Sequence, residues 1–162
     1  MLLPVVETYQ NQYKDKIINL ILEIQVNEFN IPISIKDQPD LENIPSFYQK
    51  GAGNFWVAKS GDKILGTIAL IDIGNSQCAL RKMFVAKEYR GKEKGVAQQL
   101  LTTLLEWCKS KKIKEIYLGT VPSYFAAQRF YEKNGFIEIQ KDMLPSNFSI
   151  MAVDKKFYLY RL

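Results

Sequence analysis

The segment from Ala79 to Leu105 constrains the fold more than any other part of the chain. It consists of a strand-like stretch, a basic loop and a stretch in which apolar residues recur every three or four positions. That recurrence is typical of a helix with one buried face. The apolar positions are Ala97, Leu100, Leu101, Leu104, Leu105 and Cys108. A strand followed by such a helix indicates a strand–helix–strand crossover in a mixed, partly parallel sheet.

The loop inside this segment concentrates positive charge and glycine. Its residues Arg90, Gly91, Lys92, Lys94 and Gly95 fall within six positions. Backbone amides at a helix start attract anions, and glycine lets a phosphate come close to the backbone. The loop therefore predicts a pyrophosphate-binding site at the start of the helix.

The same loop resembles the phosphate loop of the GNAT family of acyl-CoA-dependent N-acetyltransferases, which has the form Arg/Gln-x-x-Gly-x-Gly/Ala. That form falls on the segment from Lys92 to Ala97, KEKGVA. The resemblance implies that Gly95, Val96 and Ala97 bind the pyrophosphate of acetyl-CoA. Lysine takes the first position of the form, and the loop is longer than the shortest family versions, so Arg90 is the alternative for that position.

A second segment, from Ala127 to Phe136, resembles the other family signature, a helix that ends in a turn and a strand. Its sequence is AQRFYEKNGF, and a strand at Ile116–Thr120 separates it from the first motif. The two motifs in this order imply the GNAT fold, and the resemblance covers roughly half of the chain, residues 55–139. That fold is α/β, a mixed and mostly antiparallel central sheet flanked by about four helices.

The local patterns predict the following elements along the chain. The strands are Val5–Tyr9, Phe55–Lys59, Ile64–Ile73, Gln77–Val85, Ile113–Leu118, Phe136–Gln140 and Phe157–Leu162. The helices are Asn11–Phe29, Leu41–Lys50, the phosphate-loop helix to Ser110, and Tyr124–Asn134, with a loop at Asn30–Asp40.

Length and composition predict one globular domain spanning residues 1–162, with 47% hydrophobic and 24% charged residues. No apolar run approaches the length of a membrane span. The start, Met1 to Pro4, is too short for a signal peptide, so the cytoplasm is the expected compartment.

The net charge is +5, which suits a polyanionic ligand such as CoA, a nucleic acid, or simply a solvated basic surface. Signatures of nucleic-acid-binding folds are absent, so a nucleic acid is not the expected partner. The chain has no histidine, which excludes a Ser-His-Asp triad and the common histidine zinc sites, and no metal is predicted. Cys108 lies in the apolar stripe and is expected in the core.

The resemblance implies direct transfer of an acetyl group from acetyl-CoA to a primary amine, with Tyr131 as the general acid. A phenol with a pKa near ~10 suits protonation of a departing thiolate. The alternative is that Tyr131 simply packs beside Phe130 in the core. Tyr124 is the second candidate.

The resemblance also implies that the backbone of Met83, Phe84 and Val85 binds the pantetheine arm, where the central strand diverges from the next one. A main-chain amide there would polarise the acetyl carbonyl. Asn134 is a candidate contact to CoA, with Gln128 as a further match, and Asn134 before Gly135 also suits a helix end.

The general base and the role of Arg81 stay open. The central strand begins without the glutamate that many relatives carry, and the nearest acid, Asp72, also suits a turn before Gly74. A water molecule is the other candidate base. Arg81 either pairs with an acid such as Asp72 or binds a carboxylate of the acceptor.

Three further questions concern partners and turnover. The acceptor is expected near residues 27–40, and a peptide or protein acceptor is the alternative to a small amine. A CoA-binding sensor without turnover is the rival from another class. The aromatic run at Phe157–Tyr160 exceeds what one edge strand needs, which predicts a homodimer through C-terminal strand or helix surfaces.

Overall fold

The structure, a computed structural model, describes residues 3–162. Met1 and Leu2 lie outside the described residues, and so does that part of the start that was expected to be too short for a signal peptide. Seven strands are formed in this range: β1 (Val5–Thr8), β2 (Asn54–Ser60), β3 (Lys63–Gly74), β4 (Gln77–Val85), β5 (Glu115–Thr120), β6 (Ile137–Ile139) and β7 (Lys156–Arg161). They make one sheet in the order β1-β2-β3-β4-β5-β7-β6. All neighbours are antiparallel except β4 and β5, which are parallel.

The helices of this range are α1 (Lys14–Leu22), α2 (Ile44–Phe47), α3 (Val96–Ser110) and α4 (Phe125–Lys133). The predicted α/β fold class, a mostly antiparallel sheet flanked by about four helices, is confirmed. The sheet takes strands from both ends of the described chain, and the single domain over residues 1–162 stays a prediction. No helix among residues 3–162 is long and apolar enough to cross a membrane.

The helix α3 provides the crossover between the parallel strands β4 and β5. Its predicted stripe is buried at Leu100, Leu101, Leu104 and Cys108. A Cβ at Gly66 of β3 would lie 3.1 Å from Leu100 Cδ1, so glycine there lets the helix approach the sheet closely. Burial raises the pKa of the Cys108 thiol to about 12, which agrees with a core residue.

The helices α1 and α2 contribute to a second apolar cluster with β2 and β3. Ile17 and Ile21 of α1 are fully buried there. The predicted helix at Asn11–Phe29 is a 3₁₀ turn, α1 and a π-helical turn, Glu23–Glu28, in succession. The predicted helix at Leu41–Lys50 was wrong in length, because Asn43 leaves helical geometry and Pro45 has no N–H to continue the turn before it.

The strand β5 begins two residues later than the predicted Ile113 start. The Ile113 amide donates to the Cys108 carbonyl at 3.0 Å and ends the preceding helix. Lys112 takes a φ of 59°, which reverses the chain before it reaches the sheet. Sequence patterns do not resolve such a helix end.

The aromatic strand β7 is an inner strand, so its predicted edge position was wrong. It lies between β5 and β6, and Phe157, Tyr158 and Leu159 are buried. Packing within the chain thus accounts for the aromatic run. The homodimer stays a prediction.

Candidate active site

The parallel strands β4 and β5 pair only at their beginnings and then separate. Their register ends at Ala79 opposite Tyr117. Beyond that point β4 contains a bulge, where Lys82 takes a φ of 53° and the register with β3 shifts. Thr67 Oγ1 donates to the Lys82 carbonyl at 2.6 Å and holds the bulge. The second half of β4 therefore has no strand paired on its β5 side.

A cleft of about 90 Å³ occupies this gap. Met83 and Phe84, two of the three residues predicted to bind pantetheine through their backbone, line it. The third, Val85, is buried and its carbonyl accepts a hydrogen bond from Arg90 Nε at 2.8 Å. Side chains from α4 and from the segment before β7 complete the walls.

The predicted phosphate loop ends on Gly95, the residue that precedes the first turn of α3. Gly95 has a φ of 70°, and a Cβ built there would meet nothing within 4 Å. The first turn contains no acidic residue, and Val96 and Ala97 supply amides that have no partner inside the helix. An open, positively polarised helix start of this kind can bind a phosphate.

The loop cations differ in what they contact. Lys92 and Lys94 are exposed, beside Gly91, which has a φ of 114°. Arg90 instead makes a two-pronged ion pair with Glu28, its Nη2 donating to Oε1 at 2.8 Å. The same ion pair lowers the pKa of Glu28. Arg90 thus ties the loop to the end of the π-helical turn, while the two lysines are free to meet a ligand.

The candidate acid Tyr131 has its ring in the core and lines the cleft. Its ring centroid lies 5.5 Å from that of Phe136, 6.0 Å from that of Tyr158 and 6.1 Å from that of Phe130. Among residues 3–162 no hydrogen bond engages its hydroxyl, and burial raises its pKa. The phenol is therefore protonated at neutral pH. Tyr124, the second candidate, also lines the cleft, and burial raises its pKa to about 12.

The candidate CoA contact Asn134 lies at the end of α4 and faces α3. Its Nδ2 donates to the Phe130 carbonyl at 2.9 Å, and its Oδ1 accepts from Gln98 Nε2 at 3.1 Å. Asn134 therefore joins the second motif to the first turn behind the phosphate loop. Gln128 is buried and donates to the carbonyls of Val121 and Pro122, so it fixes the start of α4.

The structure shows the contacts of Asp72 in β3 and Arg81 in β4, the two residues whose roles the sequence left open. Asp72 accepts from the amides of Gly74 and Ala52, each at 2.9 Å, which confirms the turn interpretation. Arg81 does not pair with Asp72. Its guanidinium lies 5.1 Å from the ring centroid of Phe148 and donates to the Ser149 carbonyl. Its Nε is buried without a partner in the described chain.

Lys82 connects the bulge to the segment where the acceptor was expected. Its ammonium contacts Gln38 Oε1 and lies 3.5 Å from Asp40 Oδ2, and Tyr48 donates to the same Asp40 oxygen at 2.5 Å. Burial lowers the pKa of Lys82, against the opposing effect of Asp40. This cluster holds residues 38–40 against one side of the cleft.

The acidic residue that lines the cleft is Asp154, which the sequence analysis missed. A Cβ at Gly119 of β5 would lie 2.9 Å from Asp154 Oδ2, so the glycine makes room for the carboxylate. Burial raises the pKa of Asp154 to about 6, although Arg81, Lys82 and Lys155 oppose that shift. The only feature of the sequence that could have indicated Asp154 is its position, two residues before the last strand.

The profile of the Acetyltransferase (GNAT) family matches residues 18–136, and the chain belongs to this family.

Three comparisons illustrate the relationship. An acetyltransferase of the GNAT family from Staphylococcus aureus Mu50 is 44% identical, with a TM-score of 0.94 and 98% of each chain covered. The PaiA N-acetyltransferase of Thermoplasma acidophilum, solved in complex with coenzyme A, has a TM-score of 0.76 at 16% identity, with 98% of this chain and 99% of that one covered. N-acetylaspartate synthetase of Xenopus tropicalis is 37% identical over 101 residues, 60% of this chain and 36% of that protein. The chain spans about half or less of the length of the curated relatives it matches.

Proposed function

We propose that the protein transfers the acetyl group of acetyl-CoA to a primary amine, directly and without a covalent enzyme intermediate. The observation that carries this proposal is the gap between β4 and β5, which lies beside the glycine-capped start of α3. A thioester arm can lie in the gap while its pyrophosphate binds the helix start. Family membership supports the same reaction.

The co-substrate is placed by three sets of groups. The loop from Gly91 to Ala97 binds the pyrophosphate through amides, with Lys92 and Lys94 adding charge. The backbone of Met83 and Phe84, which pairs with no strand on its β5 side within the described chain, binds the pantetheine arm and polarises the acetyl carbonyl, while the Val85 carbonyl is already bonded to Arg90. Asn134 contacts CoA from the α4 side. The relative crystallised with coenzyme A supports acetyl-CoA as the ligand.

Tyr131 protonates the sulfur when the carbon–sulfur bond breaks. Tyr131 lines the cleft, and three aromatic rings pack against its ring. A fixed, protonated phenol beside the leaving group satisfies the geometric requirement of a general acid. The packing of Tyr131 beside Phe130, which was the alternative to a catalytic role, thus also positions the hydroxyl.

Two alternatives have different support. A sensor without turnover needs no base, whereas the carboxylate of Asp154 in the cleft favours turnover. A peptide or protein acceptor would need access to the same cleft, which has a volume of only about 90 Å³. The small amine is therefore the acceptor we propose.

A thiol-release assay tests the function. The protein is mixed with acetyl-CoA and with amino acids, polyamines, aminoglycosides or lysine peptides, and acetylated products are identified by mass spectrometry. Amino acids belong in this panel because one relative is named N-acetylaspartate synthetase. Release of thiol with formation of an acetylated amine is expected. Tight binding of acetyl-CoA with no product from any amine would instead establish the sensor.

A further inference from the structure

Asp154 and Arg81, which belong to different elements of the chain, both line the cleft. We propose that the acceptor is an amino acid or a similar small amine that carries a carboxylate, with Asp154 binding its ammonium group and Arg81 its carboxylate. This inference rests on the proposed acetyl transfer, and it names the class of acceptor and the catalytic base.

The carboxylate of Asp154 is held in place but is free to react. The Asp154 amide donates to the Met151 carbonyl at 3.0 Å, and the Lys155 amide donates to the Thr120 carbonyl at 3.1 Å, so the backbone on both sides is fixed. Gly119 leaves space for the carboxylate above β5. No ion pair or hydrogen bond engages the carboxylate in the described part of the chain, so it is available to an ammonium group.

The guanidinium of Arg81 is similarly positioned and incompletely satisfied. Stacking on Phe148 and one hydrogen bond to Ser149 orient it, while its Nε lacks a partner among the described residues. A guanidinium has five N–H donors and binds a carboxylate in two-pronged geometry. Because Nε is buried, a carboxylate would bind end-on, to the hydrogens of Nη1 and Nη2 that make no bond within the described chain.

The surrounding charges favour such a zwitterionic acceptor over a polyamine. The groups that face Asp154 are Arg81 and Lys82 of β4, Lys155 beside it, and the phenols Tyr124 and Tyr131. Three of these are cations, so an acceptor with several ammonium groups would meet repulsion. A wider hollow of about 300 Å³ shares Asp154 and Met151 with the cleft and offers space on the other side of the carboxylate.

The proton transfers balance in this arrangement. Asp154 takes one proton from the ammonium group, and the nitrogen lone pair then bonds to the acetyl carbon. The tetrahedral intermediate breaks its carbon–sulfur bond, and Tyr131 gives a proton to the sulfur. The second nitrogen proton restores Tyr131, and Asp154 releases its proton to water. The products are the N-acetyl compound, CoA thiol and one proton.

The first test compares acceptors on the unmodified enzyme. Each amino acid is assayed beside its carboxamide and its decarboxylated amine, with kcat/KM measured by thiol release. We expect the free amino acid to be preferred at least tenfold over both. Equal or better rates for the amides or amines would overturn the inference while leaving the proposed function intact. Absence of transfer to any amine in the panel would instead refute the proposed function.

Two variants then test the residues separately. Arg81→Gln is expected to remove the preference for the carboxylate mainly through KM, whereas Arg161→Gln, which lies at the exposed end of β7, keeps it. Asp154→Asn is expected to lower kcat at least a hundredfold with acetyl-CoA affinity within threefold, and Asp142→Asn serves as its control. A retained preference in the first variant, or retained kcat in the second, would overturn the corresponding assignment.

The pH profile separates a base from a merely structural acid. Asp154 must be ionised to accept a proton, so kcat/KM should rise as the pH rises through about 6. That acidic limb should disappear in Asp154→Asn when residual activity is measured. Persistence of the limb in the variant would assign it to another group and overturn the role of Asp154.

Discussion

Replacing Gly95 by alanine tests whether the start of α3 binds the pyrophosphate. Gly95 has φ and ψ of 70° and 6°, left-handed values that cost a residue with a Cβ about 1 kcal/mol. The added methyl group would meet no atom within 4 Å, so no clash adds to this cost. We expect the free energy of unfolding to fall by about 1 kcal/mol and Tm by ~2–4 °C.

The effect on acetyl-CoA should be larger than the effect on stability. The methyl group would occupy the open space through which a phosphate approaches the helix start. Loss of two amide hydrogen bonds to a charged group, at about 1.5 kcal/mol each, predicts a loss of about 3 kcal/mol. That corresponds to a roughly hundredfold weaker Kd, measurable by titration calorimetry.

Gly74→Ala is the matched control for this prediction. Gly74 has a φ of 88°, lies at the end of β3 away from the phosphate loop, and would place its Cβ 3.7 Å from Asn147 Nδ2. It should lose a similar amount of stability and keep its affinity for acetyl-CoA. If both glycine variants bind acetyl-CoA equally well, the assignment of the helix start is refuted.

Four further predictions concern the loop, the acid and assembly. Lys92→Ala with Lys94→Ala should weaken acetyl-CoA binding at least tenfold at low salt and flatten its salt dependence; an unchanged Kd in calorimetry would refute this. Arg90→Ala should cost about 2 kcal/mol of unfolding free energy in urea, because it leaves Glu28 unpaired; an unchanged midpoint would contradict that structural role. Tyr131→Phe should lower turnover by ~10²–10⁴ with acetyl-CoA affinity within a few-fold, and retention of more than about a third of the turnover would exclude the general acid. Light scattering should give twice the 18.7 kDa chain mass, and a monomer would reject the homodimer.

Local sequence patterns were sufficient to predict β3, β4 and α3, the elements that carry the proposed co-substrate site. The stripe of α3 repeats every three or four residues, so its buried face could be read without knowing its partner. The alternation and turn residues around β3 and β4 similarly gave the hairpin. These elements carry Met83, which lines the observed cleft, and Gly95, which precedes α3; their binding of acetyl-CoA stays a prediction.

Contacts between distant segments were not predictable in this way. Arg90 and Glu28 are 62 residues apart, and no periodicity links them. The position of Asp154 depends on β7 lying antiparallel beside β5, since the residues before β7 then meet the end of β5. With the last strand expected at an edge, nothing in the sequence brought Asp154 to the cleft, and the candidate bases were Asp72 and a water molecule.

The cations of the site show why net charge could not locate its function. Lys92 and Lys94 extend into solvent, where charge attracts a phosphate at little desolvation cost. Arg90 forms an ion pair with Glu28 and thereby positions the loop. Arg81 and Lys82 lie inside the gap, where burial makes an unmatched charge costly and therefore selective for an anionic partner. Lys82 lies 3.5 Å from Asp40, whereas Arg81 makes no ion pair within the described chain, although its charge acts on Asp154. This difference between the two neighbours is the reason that we propose Arg81, and not Lys82, as the residue that binds a substrate carboxylate.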